Sequence, residues 1–318
     1  MTQTSPRVLT IGIHIVDILG RPVPGIPDGQ GIALLDEIRM TVAGTAAGTA
    51  IDMARLGLNV TTVGVVGDDE LGRWMTHKMS SEGVDTKGLS IDPTKPTSAT
   101  MLPIRPNGER PALHVKGANT SLSLDYIDWD LVESADYVHV GGTCLLDKFD
   151  GEPTAEVLRR AQAAGAITTL DMLGMPDADF DRLFLPVLPH LDYFLPNDDD
   201  ARMVSGRSDL TDAVSWLHDH GVGDTVITLG AEGASYTPNG GSEIRVPAYD
   251  IDVIDTTGCG DAFSGGFIAG LVEGLDIPGA MEIGVASGSM VATGLGSDAG
   301  IVDRASLDAF RDATPRRS

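Results

Sequence analysis

Residues 255–267 read Asp255-Thr256-Thr257-Gly258-Cys259-Gly260-Asp261-Ala262-Phe263-Ser264-Gly265-Gly266-Phe267. Val246 to Ile254, just before, reads as an extended run, and from Asp261 to Glu273 apolar and small residues recur at helical spacing. Gly258, Cys259 and Gly260 therefore sit where a loop becomes a helix. The first N–H groups of a helix lack intrahelical partners and stand at the positive end of its dipole, which makes an anion site. Small side chains let a phosphate approach that backbone. A carboxylate in a first helical turn is by itself only a favourable charge or a cap. Beside a bound phosphate it is repelled, and it becomes useful if it takes the proton from a hydroxyl attacking that phosphate. Asp261 and the turn before it thus point to phosphoryl transfer to an alcohol.

Outward from this stretch, short β-rich runs alternate with helical patterns. Val8–Ile13, Val60–Val66, Tyr137–Val140, Ile167–Asp171, Tyr193–Leu195 and Val226–Leu229 read as strands. Thr49–Leu56, Leu71–Ser81, Thr154–Ala164 and Asp212–His220 read as helices, each followed by a glycine at the C′ position: Gly57, Gly83, Gly165 and Gly221. The alternation predicts an α/β fold, a parallel sheet with helices on both faces. Two segments break the rhythm. Thr97–Arg105 and Glu109–Lys116 flank Asn107-Gly108, a hairpin signal, and Gly31–Val42 reads as extended. A small antiparallel sheet beside the main body is their natural home. Nothing divides the 318 residues into separate domains, so the reading is one domain with inserted segments at about 14–43 and 97–118. The tail from Thr314 is expected to fray.

Lys and Arg number 22 against 46 Asp and Glu, a net charge of −24. That balance repels nucleic acid and anionic membrane. No apolar run approaches the roughly 18 residues of a membrane span. Cys144 and Cys259 are the two cysteines, too few for a disulfide framework, and a cytoplasmic location is expected. His218 and His220, two apart on a helix, face different ways and read as surface residues. A doubly wound dehydrogenase would need Gly-x-Gly-x-x-Gly after its first strand, and a P-loop enzyme Gly-Lys-Ser/Thr; neither is present.

The Asp-Thr-Thr-Gly-Cys-Gly-Asp run resembles the signature of the ribokinase-like, or PfkB-type, carbohydrate kinases, with Cys259 where Ala is usual. The resemblance extends along the chain: Gly12–Asp17, which resembles the family's first strand with Asp17 at its end, Ala43–Ala50 with Arg55-Leu56-Gly57, Val66–Asp69, Glu82–Asp85, Asn197–Asp200, and Thr228-Leu229-Gly230 with Gly233. It implies an ATP-dependent kinase in which Asp261 is the general base and Gly258, Cys259 and Gly260 form the anion hole. Asp17, Gly44, Thr45, Gly48 and Arg110 would bind the acceptor, a small sugar or sugar derivative. Asn197, Asp200, Thr228, Gly230 and Gly233 would serve ATP, with Asp200 acting on Mg2+ through water and Asp255 a candidate ligand for a monovalent cation such as K+. The small sheet would be a lid over the sugar and the interface of a homodimer. A nucleoside kinase of the same family and a catalytically silent sugar-binding regulator are the alternatives.

The chain departs from the family pattern mainly around the acceptor. Gly48 and Thr45 replace polar residues, Asp200 replaces Glu, and polar and Arg residues common in the family are missing from Asp171–Gly174. With Gly44, Thr45, Ala46, Ala47 and Gly48 lining the sugar site, a ligand bulkier than ribose is expected, such as a nucleoside or a substituted ketohexose. Arg105, Arg110, His114 and Lys116 could meet an anionic group on it.

Overall fold

The computed structural model describes residues 5–107, 109–175, 177–297 and 299–317. The first third of the chain holds β1 (Arg7–Gly12), β2 (Ile15–Arg21), β3 (Glu37–Ala43), α1 (Thr45–Arg55), β4 (Asn59–Gly67), α2 (Glu70–Ser81), β5 (Asp85–Asp92), β6 (Ala99–Pro103) and β7 (Leu113–Val115). The middle holds α3 (Trp129–Ser134), β8 (Tyr137–Thr143), α4 (Glu152–Ala163), β9 (Ile167–Met172), α5 (Phe180–Phe184), β10 (Tyr193–Phe194), α6 (Asp198–Ser205) and α7 (Leu210–Asp219). Then come β11 (Asp224–Thr228), β12 (Ala234–Pro238), β13 (Ile244–Val246), α8 (Cys259–Val272), α9 (Ile277–Val291) and α10 (Arg304–Ala313).

Nine strands form one sheet in the order β13-β12-β11-β10-β9-β8-β1-β4-β5. All six strands expected from sequence lie in it, paired parallel, while β12 and β13 extend it antiparallel. The period-2 alternation along β1 divides the core. Leu9 and Ile11 pack with Val138, Val140, Leu158 and Phe184 on one face, and Val8 packs with Ile51, Met53, Val60 and Met75 on the other. Gly57, Gly83, Gly165 and Gly221 all have positive φ, as C′ glycines should. The predicted extended run over 246–254 is mostly irregular: β13 ends at Val246, and beyond it only Tyr249 bridges, to Arg316. Residues 315–317 are thereby paired rather than frayed. Of the paired histidines, His218 is half-buried and His220 stacks on Trp216 with ring centres 3.8 Å apart.

The two segments that break the rhythm make a separate four-stranded sheet, β3-β2-β6-β7, which is mixed rather than antiparallel because β2 and β6 run parallel. β6 and β7 pair antiparallel as the hairpin pattern requires, and Arg105 donates to the Glu109 carbonyl at 2.7 Å; Gly108 of the turn lies outside the described residues. The register puts Asp17, Thr41, Thr100 and His114 in one row across the sheet and Ile18, Met40, Met101 and Leu113 in the next, on the opposite face.

The chain passes from one sheet to the other at Ile13 and His14. His14 is fully buried, with Nδ1 2.9 Å from the Gly12 carbonyl and Nε2 2.9 Å from the Thr62 hydroxyl. Asn119 grips its backbone from both sides, accepting from the His14 N–H and donating to its carbonyl, each at 3.0 Å. Burial pushes the imidazole down to about 4, so it stays neutral and serves as a clamp.

Candidate active site

The turn before α8 is folded by Asp255. Its Oδ1 accepts from the Thr257 N–H at 3.0 Å and the Thr257 hydroxyl at 2.7 Å, and its Oδ2 accepts from the Gly296 N–H at 2.9 Å. Gly258 then starts the helix in the left-handed region, φ 79°, and a Cβ there would lie 2.6 Å from Ser297 Cα. Only glycine satisfies both demands. No side chain caps α8, which leaves its first turn open toward the space it faces. The Cys259 N–H is the exception, making a long bond of 3.4 Å to the Thr256 carbonyl. Gly260 is ordinary helix, and a Cβ there would meet nothing within 4 Å. The demand for glycine therefore falls on Gly258.

Asp261 follows in the first turn of α8, buried against α1. A Cβ on Gly48 would stand 2.9 Å from its Oδ2, so Gly48 makes the room this carboxylate occupies. Burial, and secondarily Asp17, pushes the Asp261 carboxyl up to about 7. Burial also raises the Cys259 thiol, to about 12, so it carries no thiolate at neutral pH.

Two cavities meet at this helix start. The first, of about 430 Å³, is walled by Asp17 and Thr100 from the small sheet, Gly44 and Thr45 from the start of α1, Asp171 at the end of β9, Asn197, and Gly258, Gly260 and Asp261. Burial raises Asp17 to about 6 against the lowering effect of the Thr100 hydroxyl and Arg110. Asp171 is raised well above the ordinary range by burial and then by Asp261. Thr45 contributes a buried hydroxyl with no partner among the described residues.

Arg110 is the one cationic side chain among the described residues lining this cavity. It reaches from the β6–β7 loop to the α8 turn, 3.1 Å from Asp255 Oδ1, and donates to the Thr256 hydroxyl at 2.8 Å. It thus ties the small sheet to the turn.

The second cavity, of about 280 Å³, is walled mainly by apolar and small groups: Gly230, Ala231, Gly233, Ala248, Ile251, Val253, Phe263, Val285 and Ala292. It shares Thr228, Thr256 and Gly260 with the first. Gly233, at φ 98°, closes the turn after β11; a Cβ there would lie 2.0 Å from the Val246 carbonyl oxygen. A mostly apolar cavity opening onto the same helix N-terminus suits a nucleobase whose phosphates point at Gly260.

Asn197 caps α6, accepting from the Asp200 N–H at 2.8 Å and donating to Asp200 Oδ2 at 2.7 Å. Asp200 is pushed up to about 6 by burial and then by Asp199. A buried carboxylate behind an Asn that faces the cavity fits Mg2+ held through water and phosphate oxygens. Asp255 does not fit K+ in the same way. Its Oδ1 is shared by Thr257 and the Arg110 guanidinium, and its Oδ2 is taken by Gly296.

Most of the residues named from sequence converge here, with three corrections. Gly48 stands behind Asp261 rather than in the cavity wall, and Ala46 and Ala47 are fully buried, so the small-residue run is not a continuous lining. Asp17 lies not at the end of β1 but in β2, on the small sheet, because β1 stops at Gly12. Arg105 and Lys116 are spent on Glu109 and Asp147, and His114 sits 3.1 Å from the Thr100 hydroxyl. Sequence reasoning missed Asp171 and the His14–Asn119 clamp. An aspartate ending a strand whose neighbours end at the same site was the available signal for Asp171.

Residues 5–304 match the sequence profile described as pfkB family carbohydrate kinase. The chain is 29% identical to the ATP-dependent ribose-1-phosphate kinase of Halopiger xanaduensis, covering 90% of this chain and 92% of that one. It is 32% identical to the 2-dehydro-3-deoxygluconokinase of Thermoproteus tenax over 79% of each. Among solved structures it superposes on Arabidopsis thaliana ribokinase, determined with ribose and ATP, with a TM-score of 0.82 over 97% of this chain and 99% of that one at 22% identity. With an uncapped helix start, a buried carboxylate and two joined cavities already in place, the match over nearly the whole length settles the family: the chain belongs to the pfkB carbohydrate kinases, ATP-dependent phosphotransferases with an alcohol group as acceptor.

Proposed function

We propose that this chain transfers the γ-phosphoryl group of ATP to a hydroxyl of an uncharged sugar or nucleoside, with Asp261 as general base. The observation that carries the reading is the place of Asp261: a buried carboxylate raised to about 7, in the open first turn of α8, on the wall of a carboxylate-lined cavity that joins an apolar one. ATP would lie with its base in the apolar cavity and its γ-phosphate at the N–H groups of Gly258 and Gly260. Asp17 would accept hydrogen bonds from acceptor hydroxyls, with Gly44 and the Thr45 hydroxyl beside them. Asp261 takes the proton of the attacking hydroxyl as the new O–P bond forms and the bond to the β-phosphate oxygen breaks, releasing ADP. A base with its pKa near neutrality is effective in this role. Asn197 and Asp200 would hold Mg2+, which when bound supplies neutralisation of phosphate charge.

The restriction to uncharged acceptors follows from charge. Asp17, Asp171 and Asp261 line the acceptor cavity, and Arg110, the one cation lining it among the described residues, already pairs with Asp255. A phosphorylated or carboxylated sugar would bring more negative charge to a site with no free counterion. Ribose 1-phosphate, the acceptor in the name of the Halopiger relative, would therefore be a poor substrate. A nucleoside is kept beside a simple sugar because the small side chains at Gly44 and Thr45 leave the wall open. The silent-regulator reading finds no support in a site with Asp261 and Gly258 both in place.

The small sheet would act as a lid and as a dimer interface. Its inner face carries Asp17 and Thr100. Its outer face exposes Ile38, Met101, Leu113 and Val115, each at least half accessible, which is a costly arrangement for a monomer. Among the described residues no helix is long and apolar enough to cross a membrane; a cytoplasmic enzyme is the reading we adopt. An ADP-release screen over neutral sugars, nucleosides, sugar phosphates and sugar acids tests the assignment. Turnover confined to the neutral set is expected, and a best substrate that is anionic would overturn the restriction.

A further inference from the structure

The segment 315–317 lies along the nucleotide cavity. The Asp250 N–H donates to the Pro315 carbonyl and the Arg317 N–H to the Ala248 carbonyl, both at 2.8 Å, on either side of the antiparallel Tyr249–Arg316 bridge. Arg316 is consumed in holding the segment down. It stacks on the Tyr249 ring at 3.8 Å, donates to the Pro247 carbonyl at 2.8 Å and lies 3.4 Å from Glu282. In paired extended chain successive side chains point to opposite faces, so with Arg316 turned onto Tyr249 and Glu282, Arg317 is turned the other way. It lines the apolar cavity, and it is the one charged side chain among the described residues that does so. It also lines the shallow adjoining pocket with Ala231, Glu232, Pro247 and Ala248, none of which belongs to the α8 turn. Arg317 therefore stands at the outer end of the apolar cavity, away from the phosphate end at Thr256 and Gly260. Among the described residues no side chain pairs with its guanidinium.

We infer that Arg317 is a nucleotide-binding residue that lies against the base of ATP, so that the segment 315–317 completes the nucleotide site. This rests on the nucleotide reading of the cavity given above. A planar guanidinium on the face of a heteroaromatic ring is an attractive contact, and a cavity with mostly apolar walls strengthens it. Contact at the base end distinguishes the role from that of the α8 turn, which would grip phosphate.

Calorimetric titration with Mg2+-ATP and, separately, with inorganic tripolyphosphate tests this on the full chain, with no acceptor present. Arg317→Ala is expected to weaken ATP binding roughly 3- to 30-fold and to leave tripolyphosphate binding unchanged. Arg317→Lys, which keeps the charge but not the planar face, should recover only part of the loss. Because the side chain is exposed and makes no hydrogen bond or ion pair among the described residues, Arg317→Ala should melt at the parent temperature, which separates a binding defect from a folding one. Equal ATP affinity in parent and Arg317→Ala would overturn the inference alone. Equal losses for ATP and tripolyphosphate would overturn the base contact. A parent chain that binds no ATP would overturn the reading of the cavity itself.

Discussion

Gly48 lies directly behind Asp261, close enough that a single added carbon would stand 2.9 Å from the carboxylate oxygen Oδ2. The proposed base is thus positioned by an absence of side chain on the neighbouring helix. Gly48→Ala is expected to displace the carboxylate by a fraction of an ångström and lower kcat roughly 10- to 100-fold, with the Kd for ATP unchanged. Steady-state kinetics with calorimetry on the same sample would decide it; a fall in ATP affinity equal to the fall in kcat would show that the α1–α8 packing had failed instead.

Asp261→Asn keeps the shape and removes the base. Turnover should fall roughly 10²- to 10⁴-fold. In the parent, kcat/KM should decline below about pH 7, where Asp261 takes up its proton, and this limb should vanish from the residual activity of the variant. The same shift bears on stability. A native carboxyl raised to about 7 holds a proton that the unfolded chain gives up near 4, so its contribution declines as pH rises through that window and stays lost above it. Asp261→Asn should therefore melt higher than the parent at pH 8 and show no advantage at pH 4, as thermal melts at the two pH values can establish.

Cys259→Ala should remain active, since a thiol raised to about 12 has no nucleophilic role at neutral pH. Gly258→Val should be inactive, because φ 79° and the Ser297 backbone both refuse a branched side chain. Equal loss in the two variants would assign the thiol a chemical function.

Arg110→Ala removes the tie between the hairpin and the α8 turn. A hydrogen-bonded charge pair is worth about 1.5–3 kcal/mol, so kcat/KM for the acceptor should fall roughly 10- to 100-fold. ATP hydrolysis without acceptor should rise as the lid admits water. Unchanged acceptor kinetics would mean that the contact is not made during turnover.

Met101→Glu with Leu113→Glu places two like charges on neighbouring strands of the exposed apolar face. Sedimentation should show the parent as a dimer and the double variant as a monomer. A parent that sediments as a monomer at micromolar concentration would refute the interface.

The frame of the fold was legible because its strands are buried and its helices end on glycine. Val8–Ile13 and Val60–Val66 are apolar runs that leave little choice, and Gly57 and Gly165 mark the helix ends. β5 was missed because Asp85–Asp92 is a polar edge strand with neither a continuous apolar run nor clean alternation. α9, with three glycines and two serines among its apolar residues and about half of its positions buried, carries little periodicity. Within the site, Asp261 and Gly258 could be found from a local pattern. The position of Gly48 could not, because its effect depends on how α1 meets α8, a distance of more than 200 residues in sequence. The pairing of Arg110 with Asp255 was hidden for the same reason.

That Asp17 belongs to the small sheet while Asp261 belongs to the main body has a consequence for how such a chain can change. Asp17 and Thr100, which would hold the acceptor from one side, and the parts that would move a phosphoryl group reside on separate pieces, joined at a buried clamp of His14 and Asn119. Substitutions in β2 away from Asp17, in β6 and in the loop bearing Arg110 can redraw which alcohol is taken up while leaving in place the burial that chiefly raises Asp261. Selection for a new substrate then acts on one sheet of four strands, and the chemistry is inherited unaltered.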